Sequence, residues 1–536
     1  MCDRNLEEIY PDKIKKTENL LADVCMAAKY EGQSISLYYP QHKGTNPDSQ
    51  LCTELARSFA DIGDIIRGKD LFLGHKQGKQ KLEEKLKQYF NNIYENLEDA
   101  AKKHYNGDKN NDFFQLREDW WALNRKDVWK AITCAADDND KYSKYLRDGI
   151  TTVSNEKCGH VDQDVPTNLD YVPQHLRWFH EWSEDFCRKK KKKLENLDTQ
   201  CRGENDMGEP KYCSGDGYDC KGTFRAKNKY LWDHKCTGCF FSCSDFRKWI
   251  DNQKKEFLKQ RNKYQTEISG NGRKRGHTRG TTNSNYEGYE SKFYKELQRN
   301  GYQTVNAFLG LLSKEKACQA VNDEEGGRIN FAEKHDDKSN EYKGTFYRSK
   351  YCQPCPLCGV EPIGGNVWKE KHESAQCKNI KLYKPRSGQH GTKIEILKSG
   401  EGHEDINKKL DAFCQTQSAT GSGSSGGGAG GSASNSDSQK LYEEWKCYQP
   451  EELTKEGQEV LEEKDYQNVK AAGGLCILQK TNSEENVNKQ KTSHEIQKTF
   501  NNFFNFWVAH VLKDSIEWRN KLKKCLENNN NQCLNK

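Results

Sequence analysis

Two short runs of cysteine have the spacing at which side chains bind metals or form cross-links. The runs are Cys352, Cys355 and Cys358, and Cys236, Cys239 and Cys243. Such thiolates can hold zinc or an iron–sulfur cluster, but a ferredoxin-type run needs a further close cysteine followed by proline, and zinc more often comes with a second tight pair or a histidine pair. Because the chain holds 22 cysteines, we interpret all six as structural disulfide cysteines and expect no metal.

The cysteine content also indicates the cellular compartment. Twenty-two cysteines exceed what a cytosolic enzyme keeps, whereas an extracellular domain uses them as paired cross-links. The even count allows eleven bridges with no thiol left over. No run approaches the roughly 18 consecutive apolar residues of a membrane span, and no signal peptide is visible. We therefore expect an extracellular fragment of a membrane-anchored protein.

Motifs and charge argue against catalysis and nucleic-acid binding. The 14 histidines are scattered without a His-Glu-x-x-His pair, and the glycine-rich tract at 421–431 lacks the Lys-Ser/Thr of a phosphate loop. The chain carries 86 basic and 80 acidic residues, a net charge of +6, so its surface is mixed rather than strongly basic. We expect no enzyme activity, no cofactor and no nucleic-acid partner.

Helical periodicity dominates the sequence and predicts a mainly α fold. Apolar residues recur three and four positions apart in seven segments. The predicted helices cover residues 17–30, 53–67, about 80–103, about 116–134, 174 to about 193, about 244–266 and about 289–314. We expect Gly32 to follow the end of the first helix and Gly301 to bend the last. The tryptophans fall at helical spacing and are expected in the core: Trp120, Trp121, Trp129, Trp178 and Trp182.

Shifts in composition predict the domain boundaries. We expect a mixed N-terminal subdomain at 1–50, a helical-bundle subdomain at 51–235, and a third subdomain at 236–417 made of a long helical hairpin and a cysteine-rich irregular region. Residues 418–438 are predicted to form a flexible Gly/Ser linker. A C-terminal helical extension at 439–536 is predicted to pack back on the third subdomain. The Gly- and Arg-rich loop 268–288 is expected to be mobile.

A run of six cations lies on the fifth predicted helix. It consists of Arg188, Lys189, Lys190, Lys191, Lys192 and Lys193. One interpretation is contact with a sulfated glycan of the heparan-sulfate type through multipoint electrostatics. The other, which we favour, is a solvated helix face balanced by nearby acidic residues. The loop cations Arg273, Lys274 and Arg275 leave the same alternatives open.

Several longer segments together resemble a known family. They are Leu55–Gly68, Arg117–Trp121, Val128–Cys134, Asp170–Phe179, Cys236–Cys239, Phe346–Cys358 and Phe506–Trp518. Across essentially its whole length the chain is similar to a Duffy-binding-like domain of the malaria-parasite erythrocyte membrane protein 1 family. The segment Ile394–His403 and the C-terminal extension make it most like the beta class of that family.

This resemblance implies a Duffy-binding-like fold, with disulfide-rich helical bundles in three subdomains. It also implies an adhesin on infected red cells that meets host receptors and antibodies and is monomeric as an isolated domain. Beta-class domains commonly bind intercellular adhesion molecule 1, in some members through a Gly-Gly-Pro and a later Gly-Pro-Pro element. This sequence has Gly326-Gly327-Arg328 and no Gly-Pro-Pro, so the identity of the receptor stays open.

The candidate receptor surface is the irregular stretch 326–371, where aromatic and charged side chains occur beside closely spaced cysteines. Aromatic anchors of this kind suit an interface. The candidate residues are Arg328, Tyr342, Phe346, Tyr347, Glu361 and Trp368. Packing within the cysteine-rich subdomain is an alternative role for each aromatic. A spacer domain with no receptor of its own is the remaining alternative function.

Overall fold

Two structural units share the chain, and each is built from two separate stretches of it. In the computed structural model, unit 1 comprises Met1–Lys191 with Asp251–Tyr347, and unit 2 comprises Lys192–Ile250 with Arg348–Lys536. The structure describes residues 6, 13–71, 78–108, 112–145, 151–162, 164–205, 207–221, 224–226, 229–231, 236–268, 288–302, 304–335, 343–364, 367–371, 381–397, 442–455, 457–479 and 496–528. The predicted linker 418–438, most of the loop 268–288 and Tyr342 lie outside these residues.

Helices make up most of the described chain, as the periodicity predicted. Their bounds are α1 Thr17–Thr45, α2 Leu51–Ile66, α3 Gly78–Glu95, α4 Asp99–His104, α5 Phe114–Ile132, α6 Glu156–Gly159, α7 Gln174–Arg202, α8 Thr237–Ile268, α9 Tyr289–Arg299, α10 Val305–Leu312, α11 Lys316–Gln319, α12 Asp323–Gly326, α13 Glu463–Ala471 and α14 Phe500–Asn528. No described helix is long and apolar enough to cross a membrane.

The two glycines predicted to end or to bend a helix, Gly32 and Gly301, have different effects in the structure. Gly301 has a φ of +89°, and it lies in the break between α9 and α10, so the predicted bend is a full interruption of the helix. Gly32 does not end α1, which continues to Thr45. A Cβ at Gly32 would lie 1.9 Å from the carbonyl oxygen of Ile132, so glycine is needed there for the close approach of α1 to α5.

The apolar core of unit 1 joins helices that the sequence assigned to different subdomains. Leu20, Val24 and Ala28 of α1 belong to the same buried cluster as Phe59 of α2 and Trp121 of α5. The N-terminal stretch 1–50 is therefore not separate from the bundle that follows it. Likewise, unit 1 takes in residues 251–347 from beyond the predicted boundary at 235. These differences arise because composition cannot reveal which distant helices share a core.

A buried ionic network lies beside this apolar core. Asp64 of α2 accepts hydrogen bonds from Arg67 at 3.0 Å, from Arg177 of α7 at 2.7 Å and from the Tyr289 hydroxyl of α9 at 2.6 Å. Both Asp64 and Arg67 are buried, and the Arg67 guanidinium lies 4.0 Å from the centre of the Tyr289 ring. Three helices are thereby tied to one carboxylate.

Asp170, in the short turn before α7, forms the second half of the network. It is fully buried and accepts hydrogen bonds from the indole nitrogen of Trp121 at 2.9 Å and from Arg125 at 2.7 and 2.8 Å. Arg67 also donates to the Asp170 carbonyl oxygen. The two aspartates thus share Arg67 as a common donor.

Unit 2 contains a β-sheet that the helical prediction missed. The strands of the chain are β1 Ser143–Tyr145, β2 Thr151–Val153, β3 Phe224–Ala226, β4 Lys229–Leu231, β5 Val360–Gly364, β6 Val367–Glu370, β7 Tyr383–Pro385, β8 Thr392–Leu397, β9 Tyr442–Tyr448, β10 Leu453–Lys455, β11 Leu475–Gln479 and β12 Ile496–Thr499. Six of them form one sheet in the order β3-β4-β12-β11-β9-β8, in which only β4 and β12 pair in parallel.

The C-terminal extension is therefore only partly helical, contrary to the sequence prediction. Residues 442–499 supply four strands and the short helix α13, and α14 alone is a long helix. The strands are three to seven residues long, too short for alternation to stand out. Within the extension, α14 packs on β9: Phe503 and Phe506 lie 5.2 and 5.8 Å from the Trp445 ring.

Among the described cysteines, disulfides occur in both units but are more numerous in unit 2. Unit 1 holds Cys52–Cys158 and Cys187–Cys318, whereas unit 2 holds Cys201–Cys239, Cys213–Cys236, Cys220–Cys355, Cys243–Cys352 and Cys447–Cys476. The even number of cysteines would allow all of them to pair, but among the described cysteines Cys25 and Cys134 are free. Burial, assisted by the nearby charge of Asp127, raises the pKa of Cys25 to about 11.

We expect Asp170→Ala to lower the free energy of unfolding by about 3–5 kcal/mol, because it leaves Arg125 charged without its buried partner. Asp138→Ala is the matched control. Asp138 is 70% exposed and lies 3.5 Å from Lys157, so its loss should cost less than about 1 kcal/mol. Thermal melting followed by circular dichroism measures both. Equal melting temperatures for the two variants would contradict a structural role for the network.

Candidate receptor-binding hairpin

Strands β5 and β6 form an isolated antiparallel hairpin in unit 2, within the candidate surface. Val360 pairs with Glu370 and Pro362 with Trp368, and the register shifts between Pro362 and Gly364. The sequence carries two successive glycines at the end of β5, Gly364 and Gly365, and paired glycines favour tight hairpin turns. That signal was available from the sequence and was not used in the helical interpretation.

Disulfides hold the base of the hairpin in place. Cys355, five residues before β5, is bonded to Cys220, and the Val360 amide donates to the Cys220 carbonyl at 3.0 Å. On the other strand, the Lys371 amide donates to the Gly359 carbonyl at 3.0 Å. The hairpin is thus anchored at both ends although little apolar core lies beneath it.

The turn end of the hairpin presents apolar side chains to solvent. Ile363 is 62% exposed and Val367 is 58% exposed, although both are strand residues. Charged side chains of Glu361, Lys369 and Glu370 are exposed beside them. Exposed apolar residues with a charged rim are the usual composition of a protein interface. The sequence analysis named Glu361 on this hairpin but missed Ile363 and Val367.

Trp368 lies between the surface and the core of unit 2. It is partly buried, and its ring lies 5.5 Å from that of Tyr212 in an edge-to-face arrangement. The two rings pack against a small cluster that contains Tyr218, Cys355 and Val360. Trp368 therefore supports the hairpin from one side, which is the packing alternative considered from the sequence.

The candidate residues in unit 1 divide between core and surface. Phe346 and Tyr347 are buried, and the Phe346 ring packs 5.4 Å from Phe257 and 5.6 Å from Phe186. They are not available for a receptor without unfolding this part of the unit. Arg328 is exposed and lies 3.7 Å from Glu333. Tyr342 lies outside the described residues.

The six cations of the basic run do not form one surface. Lys190 is buried, and its ammonium donates to the Thr345 carbonyl at 2.7 Å. Lys189 pairs with Asp185 at 2.7 Å and Arg188 with Glu184 at 3.5 Å. Lys191 and Lys192 are exposed, and Lys193 is half-buried near Asp245 at 3.9 Å. Because a helix turns 100° per residue, the run spreads around the helix instead of lining one face.

All six cysteines of the two closely spaced runs are in disulfides. Cys236, Cys239 and Cys243 bond to Cys213, Cys201 and Cys352 respectively. Cys355 bonds to Cys220, and Cys358 is also disulfide-bonded. Their sulfurs are therefore committed to cross-links, in the role assigned from the sequence. The loop cations Arg273, Lys274 and Arg275 lie outside the described residues.

A buried lysine lies behind the hairpin's supporting cluster. Lys498 of β12 donates to the Tyr218 hydroxyl at 2.7 Å, and its ammonium lies 4.5 and 4.6 Å from the ring centres of Tyr218 and Phe506. Burial lowers the pKa of Lys498 to about 7, while the charges of Glu443 and Asp216 act in the opposite direction. The aromatic faces offset part of the cost of holding the cation.

Comparison with known proteins places the chain in a family. The family model of the Duffy binding domain matches residues 1–177, that of the Duffy-binding-like C-terminal subdomain matches 181–350, and that of the PFEMP1 DBL domain matches 503–536. The NTS-DBL1(alpha-1) domain of PfEMP1 from the Plasmodium falciparum varO strain is 40% identical, with a TM-score of 0.58 over 70% of this chain and 78% of that one. The chain belongs to the Duffy-binding-like domains of PfEMP1.

Two further relatives are similar to parts of the chain. An ICAM-1-binding DBLbeta domain of PfEMP1 is 28% identical over 65% of this chain and 74% of that one, with a TM-score of 0.44. The beta-class assignment stays a prediction. The Duffy receptor of Plasmodium vivax is 20% identical over 40% of this chain and 15% of its own length, so the chain spans a small part of that curated relative.

Removing the Cys220–Cys355 disulfide should loosen the hairpin specifically. We expect the double variant C220A/C355A to lose amide hydrogen-exchange protection at residues 360–370, because the base of β5 is then no longer tied to Cys220. The variant C447A/C476A, which opens a disulfide between β9 and β11, is the control. Unchanged protection at 360–370 in C220A/C355A would mean that the disulfide does not position the hairpin.

Replacing Lys498 should change how stability depends on pH. The unfolded chain keeps this proton up to about pH 10.4, while the folded site releases it near pH 7. The wild type should therefore gain stability as pH rises from 7 to 9, by at most about 1.4 kcal/mol per pH unit.

K498M lacks this gain, so its stability relative to the wild type should fall between pH 7 and pH 9 in thermal melting. The exposed Lys470, replaced in K470M, is the control and should show no such pH effect. A constant difference between K498M and the wild type would contradict the lowered pKa.

Proposed function

We propose that the chain is an extracellular adhesin domain that binds a protein receptor on host endothelial cells and so attaches infected erythrocytes. Intercellular adhesion molecule 1 is the receptor we propose to test first. The observation that carries the proposal is the exposed apolar turn of the hairpin, Ile363 with Val367, on a base fixed by the Cys220–Cys355 disulfide. Membership in a family of adhesion domains supports the same reading.

The hairpin meets the physical requirements of a protein-binding surface. Apolar side chains that are already exposed cost nothing to uncover, and their burial by a partner contributes roughly 25 cal/mol per Å². A base fixed by a disulfide limits the ordering entropy lost on binding. Glu361 and Lys369 at the edge supply charges that can select among partners. Arg328, on unit 1, is a separate exposed candidate.

Sulfated-glycan binding is the weaker alternative on the described residues. A glycan chain needs several cations on one face, and Lys190 of the basic run is buried while Arg188 and Lys189 face acidic partners. The loop cations remain candidates by sequence alone. Heparin chromatography at two salt concentrations tests this alternative separately.

We expect the double variant I363S/V367S to weaken receptor binding at least about tenfold in surface plasmon resonance, a change of about 1.4 kcal/mol. The matched control is Val460→Ser, which removes an equally exposed apolar side chain of unit 2 away from the hairpin. Both variants should melt like the wild type, because none of the three positions is in a core.

The outcomes separate the alternatives. Receptor binding by the wild type that survives I363S/V367S would remove the hairpin as the binding surface. Salt-sensitive retention on heparin with no receptor binding would favour the glycan alternative. A folded domain that binds neither a panel of endothelial receptors nor heparin would be a spacer domain.

A further inference from the structure

A cluster of metal-ligand side chains lies in unit 1, far in sequence from the hairpin. His180 and Glu184 are one helical turn apart on α7, so both project from the same face. Glu315, immediately before α11, approaches them from another segment: its carboxylate lies 2.8 Å from Nε2 of His180. Nδ1 of His180 lies 4.0 Å from Glu184, and one donor atom from each residue falls within 4.8 Å of the others.

We propose that His180, Glu184 and Glu315 bind a divalent first-row metal ion of the zinc type. One imidazole nitrogen with two carboxylates is a donor set that suits such ions. Zinc–ligand bonds of about 2.0–2.1 Å in a tetrahedral arrangement place donors roughly 3.3 Å apart. The 2.8 Å and 4.0 Å separations involve different nitrogens of His180, and one donor atom from each of the three residues lies within 4.8 Å of the others. Rotation of the side chains toward one ring nitrogen would bring the three donors to one ion.

The surrounding contacts hold the donors in position. One Glu184 oxygen pairs with Arg57 at 2.8 Å and Arg188 at 3.5 Å, which leaves the other oxygen directed toward His180. The disulfide Cys187–Cys318 joins α7 to α11 three residues from Glu184 and from Glu315. This cross-link prevents the two segments that carry the ligands from separating. Positioning of ligands by outer contacts is typical of metal sites.

The cluster is also accessible. All three donors line a cavity of about 420 Å³ in unit 1, which leaves room for a metal-bound water in a fourth position. The side chains of His180 and Glu315 are 39% and 33% exposed. Besides the three donors, the lining carries charged side chains of both signs: Asp48, Glu54, Glu181, Arg57, Arg177, Arg188 and Lys316.

Titration of the metal-free, EDTA-treated chain with Zn²⁺ by calorimetry tests the proposal, with Co²⁺ absorption as a second probe of coordination. We expect one ion per chain with a Kd of about 10 µM or tighter, and at least tenfold weaker binding in both H180A and E315Q. His104→Ala is the matched control, since His104 is an exposed histidine of unit 1 outside the cluster. E315Q preserves the shape of the side chain, which guards against a loss of fold in H180A.

Three results would overturn the proposal. They are no Zn²⁺ binding by the wild type at about 100 µM, wild-type affinity in both H180A and E315Q, or loss of binding in H104A. Zinc held by the exposed thiol of Cys134 would not respond to E315Q and would count as such a result. The test does not depend on receptor binding, so either proposal can fail alone.

The pH dependence of the Zn²⁺ affinity distinguishes ligation by His180 from a purely structural role of this residue. A histidine that binds zinc must be neutral, so a metal ion competes with a proton for the ring nitrogen of His180. Zn²⁺ affinity should therefore increase from pH 6 to pH 8 in the wild type, and an affinity that does not change with pH would contradict ligation by His180.

Discussion

The buried ionic network around Asp64 and Asp170 constrains the rest of unit 1. A carboxylate taken out of water costs several kcal/mol unless donors surround it. Here the donors come from α2, α5, α7 and α9, so none of these helices can shift without leaving a buried charge unpaired. The segments that resemble the family, Leu55–Gly68, Arg117–Trp121 and Asp170–Phe179, contain most of these residues. In this unit the family signature therefore corresponds to one electrostatic arrangement.

Unit 2 is stabilised largely by disulfide bonds. Its buried apolar clusters are small, and five disulfides between described cysteines connect its helices, loops and strands. Cross-links restrict the unfolded chain, and so they substitute for apolar burial where short strands cannot provide it. The central sheet shows the same dependence, because β9 and β11 are joined through Cys447 and Cys476 at directly paired positions.

Sequence reasoning recovered the features that are local and missed those that depend on distant partners. Helical spacing located α2, α5 and α7 closely, and the cysteine runs were assigned to disulfides. The sequence analysis missed the six-stranded sheet because β4 and β12 come from segments some 265 residues apart, and no local sequence pattern predicts their pairing. The charge run misled in a similar way: Lys190 looks solvent-exposed among five other cations, yet a carbonyl supplied by Thr345 lets it be buried. His180 and Glu184 show metal-ligand spacing in the sequence, but Glu315 is brought to them only by the fold.

Neither the ionic network of unit 1 nor the disulfides of unit 2 depend on the exposed side chains of the hairpin, so these residues can be substituted without loss of the fold. Asp64, Asp170 and the disulfide cysteines are committed to the fold, whereas Ile363, Val367 and Glu361 contribute little burial to it. Substitution at such exposed positions usually changes stability by about 0.5 kcal/mol or less. The bulge between Pro362 and Gly364 interrupts the regular pairing and further separates the turn from the strands below. A hairpin anchored at its base can therefore change the side chains at its turn without altering how the domain folds.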